Sequence, residues 1–165
     1  MDEHRIGLKP ILRRVFTPPG QRPVVPVENR YEWLYVYGFV RPTTGQNFWL
    51  IMPTVSIPAF NIALQHFSAD VAQEPLYLLM DQAGWHVSDQ VQVPSHMRLL
   101  FQPAYSPELQ PAEHLWPLLD EPLINRHFPS LDDLETTVVK QCQALRTQQD
   151  RIRSATLFPW WPRLS

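Results

Sequence analysis

The sequence contains almost no cysteine, few charged side chains and no long hydrophobic run. Cys142 is its single cysteine, which excludes an internal disulfide and a cysteine-rich zinc site. Charged residues make up 18% of the chain, below the ~25% of an average globular protein. No apolar run approaches the ~18 residues of a membrane span, and no cationic start followed by an apolar stretch marks a signal peptide. We therefore expect a cytoplasmic protein without a membrane segment.

The motifs of several common enzyme classes are absent as well. Neither GxxxxGKS/T nor GxGxxG occurs, which excludes the familiar nucleotide-binding loops, and no GxSxG marks a serine hydrolase. The six histidines show neither HExxH nor another paired zinc spacing. Cys142 falls within a helical pattern and is interpreted as a small core residue.

Proline and apolar residues, by contrast, are abundant. Eighteen prolines make up about 11% of the chain, twice the usual ~5%, and predict many short elements joined by stiff corners. With 165 residues and 44% hydrophobic content, the chain is long enough for one domain with a buried core.

The net charge of −2 conceals an uneven distribution of charge. Residues 1–30 carry six basic and three acidic side chains, a balance of +3, whereas residues 31–165 carry eight basic and thirteen acidic ones, a balance of −5. The basic residues of the first segment are Arg5, Lys9, Arg13, Arg14, Arg22 and Arg30. Within it, alternating apolar pairs and prolines at 11–27 predict a loose hairpin or an arm. Composition alone leaves open whether this segment is a solvated flank or binds an anionic polymer.

Hydrophobic patterns predict strands that alternate with helices. Two runs rich in β-branched and aromatic residues, YEWLYVYGFV and NFWLIMPTV, flank a turn and predict an antiparallel hairpin. Short apolar runs at 76–80 and 97–101 predict two buried strands, and helices are expected near 58–72, 112–119 and 131–146, the last with Ser130 as its N-cap. This order predicts an α/β fold with a mixed sheet and helices on its faces.

Three acidic side chains are candidates for a common site. Asp81 directly follows the apolar run 76–80, and in open α/β sheets ligands bind beyond the carboxyl ends of strands. Glu113 begins a predicted helix, and Asp2 lies near the start of the chain. Each also has an ordinary interpretation: a turn-initiating aspartate, a helix-dipole acid and a charged terminus. If they converge, their oxygens suit Mg²⁺ or Mn²⁺, and two such ions about 3.5–4 Å apart can activate an attacking oxygen and stabilise a leaving one at phosphorus.

Four segments of the sequence resemble the catalytic core of bacterial insertion-sequence transposases related to mariner elements, which belong to the DDE superfamily. The most specific is YSPELQPAEHLWPLLDE, followed by LLMDQAGWH, and the match is completed by YEWLYVYGFVRPTTG and MDEHRIGLKP. The similarity extends from Asp2 to about residue 161. It implies a ribonuclease-H-like, retroviral-integrase-like mixed sheet flanked by helices. Because one residue precedes Asp2, we expect the first strand to be largely truncated.

The resemblance assigns a catalytic, metal-binding triad residue by residue. Asp2 matches the first aspartate, at the end of the first core strand, Asp81 matches the second and Glu113 matches the third acid. In such enzymes the triad holds two Mg²⁺ or Mn²⁺ ions; water attacks a phosphodiester at an element end, and the freed 3′-hydroxyl then attacks target DNA. Trp85 and His86 are then candidates for outer hydrogen bonds to the metal ligands or for contacts with DNA.

The same resemblance implies DNA as the partner. Double-stranded DNA of the element ends and target is expected to contact the basic segment, with Arg5, Lys9, Arg13 and Arg14 as candidate contacts. A homodimer, or pairing with a full-length transposase, is also expected, as is association with the bacterial nucleoid when DNA is bound.

The sequence departs from the family pattern in ways that leave alternatives open. We expect residues 1–165 to form the catalytic core alone, because the family's N-terminal helix-turn-helix region is absent. Gln82 stands where small residues or Asn are common, and 31 residues separate Asp81 from Glu113. One alternative is a truncated, non-catalytic remnant that binds DNA weakly or pairs with the full-length transposase. Another is a ribonuclease-H-type nuclease acting on RNA–DNA hybrids, which the YSPELQPAEHLW block disfavours.

Overall fold

The computed structural model describes the chain in six stretches, residues 1–22, 24, 26–27, 30–72, 74–104 and 106–159. Parts of the predicted arm at 11–27, Tyr105 of the proline-rich loop and the resemblance beyond residue 159 lie outside these residues. In the described stretches, no helix is long and apolar enough to cross a bilayer.

The described chain contains five strands and four helices, with three strands before the first helix and three helices after the last strand. The strands are β1 (Asp2–Gly7), β2 (Trp33–Arg41), β3 (Gln46–Met52), β4 (Leu76–Met80) and β5 (Met97–Phe101). The helices are α1 (Ile57–Asp70), α2 (Trp116–Asp120), α3 (Leu131–Thr147) and α4 (Gln149–Thr156), and two 3₁₀ turns span Pro107–Leu109 and Pro111–Leu115.

The strands pair as an antiparallel group of three and a parallel group of two. The predicted hairpin is confirmed: β2 pairs with β3 from Tyr35↔Met52 to Arg41↔Gln46, and β1 pairs antiparallel with the other edge of β2. β4 and β5 run parallel in register. The Met1 ammonium donates a 2.7 Å hydrogen bond to the carbonyl oxygen of Leu79 in β4 and thereby joins the groups at β1. The described strands thus form two small sheets, one antiparallel and one parallel, which together give the expected α/β class both strand directions.

Alternation along β2 divides the core between the two faces of the sheet. Leu34 and Val36 are buried in a cluster with residues of α3 and α4. Tyr37 and Phe39 are buried in a second cluster with residues of α1 and β4. Because successive strand side chains point to opposite faces, helices cover the antiparallel group on both sides.

The two longest helices begin at serine caps. The Ser56 hydroxyl accepts a 3.3 Å bond from the backbone N–H of Ala59 and caps α1, which has a proline in its first turn. The Ser130 hydroxyl accepts a 3.1 Å bond from the backbone N–H of Asp133 and caps α3, as the sequence predicts. Cys142 is buried in α3, and burial raises the pKa of its thiol to about 12, which agrees with a core role.

Several predictions about individual elements are wrong. β5 is not buried on both faces, because the described residues leave Leu100 and Phe101 exposed, and Tyr77 of β4 is exposed too. The helix expected near 112–119 consists of a 3₁₀ turn followed by the short α2. Helix α4 was not predicted, since its polar sequence carries little apolar periodicity.

The start of the chain also differs from expectation. Asp2 lies at the start of β1 and not at the end of a strand, and six residues of this strand pair with β2 from Asp2↔Gly38 to Gly7↔Trp33. The described residues of 11–27 form no strand; they are exposed apart from Ile11 at the base, with a turn in which the Gln21 N–H bonds the Pro18 carbonyl. An arm, and not a hairpin, describes this segment.

Gly45, in the turn between β2 and β3, is expected to be indispensable to the packing of α4. Its φ is +75°, and a Cβ there would lie 1.9 Å from the backbone oxygen of Gln149. Gly45→Ala should therefore lower the free energy of unfolding by about 3 kcal/mol, combining backbone strain with overpacking. Gly20 is the matched control, because its φ is +84° but a Cβ would meet nothing within 4 Å.

Urea denaturation of both variants tests this expectation. Gly20→Ala should cost about 1 kcal/mol or less, since only the left-handed backbone is strained. Equal losses for the two variants would contradict the close packing of the turn against α4.

Candidate active site

Asp2 lies where β1 meets the 3₁₀ turn and α2. It pairs with Gly38 across the strands and therefore points to the face covered by these segments. Its Oδ2 accepts a 2.9 Å hydrogen bond from the indole Nε1–H of Trp116. Burial raises the pKa of the Asp2 carboxyl above its ordinary value, and the Trp116 bond offsets this only in part. Asp2 is thus a partly buried carboxyl with one oxygen already oriented.

Asp81 follows β4 directly, as the sequence indicates. Its Oδ1 accepts a 3.0 Å bond from the backbone N–H of Ala83 and lies 2.8 Å from Nδ1 of His86, while 51% of the side chain remains exposed. The bond to Ala83 is the turn-initiating contact of an ordinary aspartate. The two interpretations of Asp81 are compatible, because the same contacts that begin the turn also orient the carboxyl.

Glu113 lies in the 3₁₀ turn Pro111–Leu115 and is exposed. Its pKa is raised first by partial loss of solvent, then by the negative charge of Asp2 and a hydrogen bond with that carboxyl, and finally by the charge of Asp81. The nearby His4 has the opposite effect and lowers the pKa of Glu113. The other two acids predicted from the sequence, Asp2 and Asp81, therefore both lie within electrostatic range of Glu113.

The donor chemistry of these acids fits a hard divalent cation, although the side chains are not arranged as a closed ligand shell. All three supply carboxylate oxygens, which Mg²⁺ and Mn²⁺ prefer. In the described residues, no three His, Cys, Asp or Glu side chains are close enough together to hold a metal ion as they stand. Because Asp2 and Glu113 raise the pKa of a carboxyl by their mutual proximity, a cation between them would relieve a repulsion that the fold already contains.

His86 links Asp81 to an acid that was not predicted. Its Nε2 lies 2.8 Å from Oε1 of Glu3 and its Nδ1 is bonded to Asp81, in a site where the imidazole is 1% exposed. Burial lowers the pKa of His86, but hydrogen bonds and charges from Glu3 and then Asp81 outweigh it and raise the pKa overall. An imidazole that donates to both carboxylates carries both ring N–H groups, so these contacts and the raised pKa favour the protonated form of His86.

The remaining candidate residues, Trp85, Arg5 and Lys9, lie in different parts of the structure. Trp85 is exposed beside Asp81 and contacts the His86 ring edge-on at 5.7 Å between centroids. Arg5 lies over the ring of Trp33 at 5.3 Å, towards the far end of β1, which is roughly 17 Å along the strand from Asp2. Lys9 follows that end.

The arm begins with a fixed contact and then becomes exposed. The Arg13 backbone exchanges two hydrogen bonds with the side chain of Asn125, at 2.9 and 3.1 Å, and both Arg13 and Arg14 have exposed side chains. The chain is thus held at Arg13 through its backbone, while the side chains of Arg13 and Arg14 face solvent.

Two residues of this region, Glu3 and Trp116, were missed by sequence reasoning. Alternation along a strand places Glu3 on the face opposite to Asp2, so that it reaches His86 beneath α1. If DEHR is taken as a strand, the alternation of its side chains places Asp2 and Glu3 on opposite faces. Trp116 is part of the EHLW motif, but no pattern in the sequence indicates which carboxyl its N–H meets.

Comparison with known proteins identifies the family. Residues 1–135 match the family described as DDE superfamily endonuclease. The chain belongs to this family. A curated relative, the uncharacterized protein y4pE/y4sA of Sinorhizobium fredii (strain NBRC 101917 / NGR234), is 35% identical over 130 residues, which covers 78% of this chain and 96% of that protein.

Solved structures of the Mos1 transposase share the fold. The Mos1 paired-end complex with the left transposon end superposes with a TM-score of 0.60 at 17% identity, covering 95% of this chain and 55% of that one. The pre-cleavage Mos1 transpososome gives 0.61 at 15% identity, and the Mos1 mariner paired end complex with Mn gives 0.60 at 17%. The predicted ribonuclease-H-like class is confirmed by this likeness. The chain spans about half the length of these transposase chains.

Removal of the Glu113 charge is expected to stabilise the protein in the absence of metal. The folded state disfavours ionised Glu113. The contribution of this carboxyl to folding stability is therefore fully present below its ordinary pKa of 4.5 and is lost as the pH rises through its raised pKa in the folded protein. In EDTA at neutral pH, Glu113→Gln should raise the melting temperature by about 1–3 °C, a small effect because solvent screens an exposed charge.

Thermal unfolding from pH 4 to pH 8 measures this effect. Glu108→Gln, which removes an exposed acid from the preceding 3₁₀ turn, is the matched control and should leave the melting temperature unchanged. A lower melting temperature for Glu113→Gln at neutral pH would contradict the repulsion among the three carboxylates.

Proposed function

We propose that this chain is the catalytic domain of a DNA transposase that hydrolyses phosphodiesters at element ends and transfers the freed strand into target DNA. The supporting observation is that the charges of Asp2 and Asp81, from separate parts of a DDE-family chain, both raise the pKa of Glu113. Catalytic roles for these three residues are part of the proposal.

The residues proposed to hold Mg²⁺ or Mn²⁺ are the same three acids. When bound, two such ions activate the attacking oxygen and stabilise the leaving oxygen in an in-line displacement at phosphorus. The protein's own part is positioning and charge, which dominate phosphoryl-transfer catalysis. Trp116 orients Asp2, the loop after β4 orients Asp81, and the exposed side of Asp81 leaves room for a phosphate of DNA.

Protonated His86 has a defined task in this proposal. It lies between Glu3 and Asp81, so it offsets part of the negative charge that the site accumulates. Its Nδ1 contact also orients Asp81 from the buried side, while its Nε2 contact with Glu3 holds the imidazole in place. We therefore propose that His86 supports the metal ligand indirectly, and that Trp85, exposed beside it, faces DNA.

Double-stranded DNA is the proposed partner. The Mos1 structures that share this fold include complexes with a transposon end and a strand transfer complex. In the present chain the first thirty residues are basic overall while the remainder is acidic. Exposed Lys9, Arg13 and Arg14 are the proposed phosphate contacts, together with Arg5. A homodimer or pairing with a longer transposase, residues 1–165 acting as the core, and location at the bacterial nucleoid belong to the same proposal.

A second candidate function is a non-catalytic one. The described acids do not form a closed ligand shell, and a hydrogen bond from Met1, which precedes β1, to Leu79 of β4 links the two sheets. These observations favour a domain that binds DNA or a full-length transposase without cutting DNA. Loss of activity on substitution of a single acid separates the two functions.

Plasmid nicking is the first test of the catalytic proposal. The purified chain should nick supercoiled DNA that carries the element ends when Mg²⁺ or Mn²⁺ is present, and Asp81→Asn should reduce the rate roughly 100-fold or more. Asp89→Asn is the matched control, since Asp89 is an exposed aspartate of the same loop. Nicking that survives in Asp81→Asn would contradict the role of the acid, and cleavage of RNA–DNA hybrids alone would indicate a ribonuclease.

Charge reversal in the arm tests the DNA contact. Arg13→Glu combined with Arg14→Glu should weaken DNA binding and make the slope of log K against log salt less steep by roughly 2, because two phosphate contacts are lost. Lys140→Glu combined with Arg153→Glu changes the net charge equally on exposed positions of α3 and α4 and serves as the control. Equal slopes for both double variants would contradict a DNA-binding arm.

A further inference from the structure

The indole of Trp116 reaches the Asp2 carboxyl from the middle of a packed aromatic group. Its Nε1–H donates to Oδ2 of Asp2 at 2.9 Å, although the two residues are 114 positions apart in the sequence. Trp116 is 6% exposed and belongs to the core between the sheet and α3. A donor that is buried and rigid determines the orientation of the carboxylate it meets, since an unpaired indole N–H would be costly in this position.

Three neighbours hold the Trp116 ring in place. The His4 ring stacks on it at 4.9 Å with an interplanar angle of 11°, and Trp49 meets it edge-on at 6.3 Å. Gly38, which pairs with Asp2 across the strands, lies so close that a Cβ would be 2.7 Å from Cη2 of Trp116. Because Gly38 has no side chain, the indole of Trp116 can occupy the space beside Asp2.

His4 is itself held by an acid of α2. Its Nε2 lies 3.1 Å from Oδ1 of Asp120, and Asp120 is 9% exposed. Asp120 and Trp116 lie at the two ends of the same short helix. The stack of His4 on Trp116 thus fixes α2 against β1. This contact lies next to Asp2, because Asp2 is two residues before His4 and faces the same side of the strand.

We propose that Trp116 is a positioning residue for Asp2: its N–H holds Oδ2 so that the other carboxylate oxygen is left for a divalent cation. The inference rests on the proposed metal-dependent function. Packing alone does not require a tryptophan at this position of the EHLW motif, since phenylalanine would fill most of the same space. The indole N–H is what the proposed role adds. Outer hydrogen bonds to metal ligands commonly account for a 10- to 100-fold change in metal affinity.

Trp116→Phe is the test variant and Trp49→Phe its matched control. Both substitutions remove a buried indole N–H from the same cluster, but the Trp49 N–H is bonded to Asn47 at 2.6 Å and not to a carboxyl. The Mn²⁺ concentration that gives half of the maximal rise in melting temperature is measured for each. Trp116→Phe should raise this concentration roughly 10- to 100-fold relative to the wild type, and Trp49→Phe should change it less than about threefold.

A metal-independent measurement accompanies the titration. The ¹H–¹⁵N resonance of the Trp116 indole, identified by its loss in Trp116→Phe, should shift in Asp2→Ala and remain unchanged in Glu108→Gln. If Asp2→Ala leaves the Trp116 indole resonance unchanged, the proposal is wrong regardless of the result of the Mn²⁺ titration. Equal Mn²⁺ midpoints for the two Phe variants, with a wild type that does respond to Mn²⁺, overturn only the positioning role. A wild type whose melting temperature ignores Mn²⁺ contradicts the proposed function itself.

Discussion

The alternation of side chains along β1 is the constraint on which the whole site depends. Because neighbouring residues of a strand face opposite sides, Asp2 and Glu3 cannot act together. Asp2 meets Trp116 and the turn that carries Glu113, whereas Glu3 meets His86 beneath α1. The pairing of β1 with β2 therefore distributes two adjacent acids to two different tasks. A shift of the register by one residue would exchange them.

The site concentrates negative charge and compensates it unevenly. On the α1 side, protonated His86 lies between Glu3 and Asp81 and neutralises part of their charge. On the other side, partial burial and then the negative charge of Asp2 raise the pKa of Glu113. A fold gains no stability from such repulsion, so its retention agrees with a cation-binding function.

The sequence predicted those parts of the fold that depend on local pattern. The β2–β3 hairpin, the cap of α3 at Ser130 and the buried Cys142 follow from residue type and spacing. Resemblance indicated Asp2, Asp81 and Glu113; the charges of the two aspartates raise the pKa of Glu113, and the catalytic roles of all three stay predictions. The contact of Trp116 with Asp2 spans 114 positions, so it depends on tertiary packing that no local pattern encodes. The same holds for α4, whose polar sequence gave no periodic signal.

The most direct test of the account is a count of bound Mn²⁺ by electron paramagnetic resonance. The free ion gives a strong signal that is lost on binding, so a titration yields both stoichiometry and affinity without any DNA present. The account predicts two ions for each chain, and at least one lost in each of Asp2→Asn, Asp81→Asn and Glu113→Gln. Wild-type stoichiometry and affinity in all three variants would show that these acids do not form a metal site.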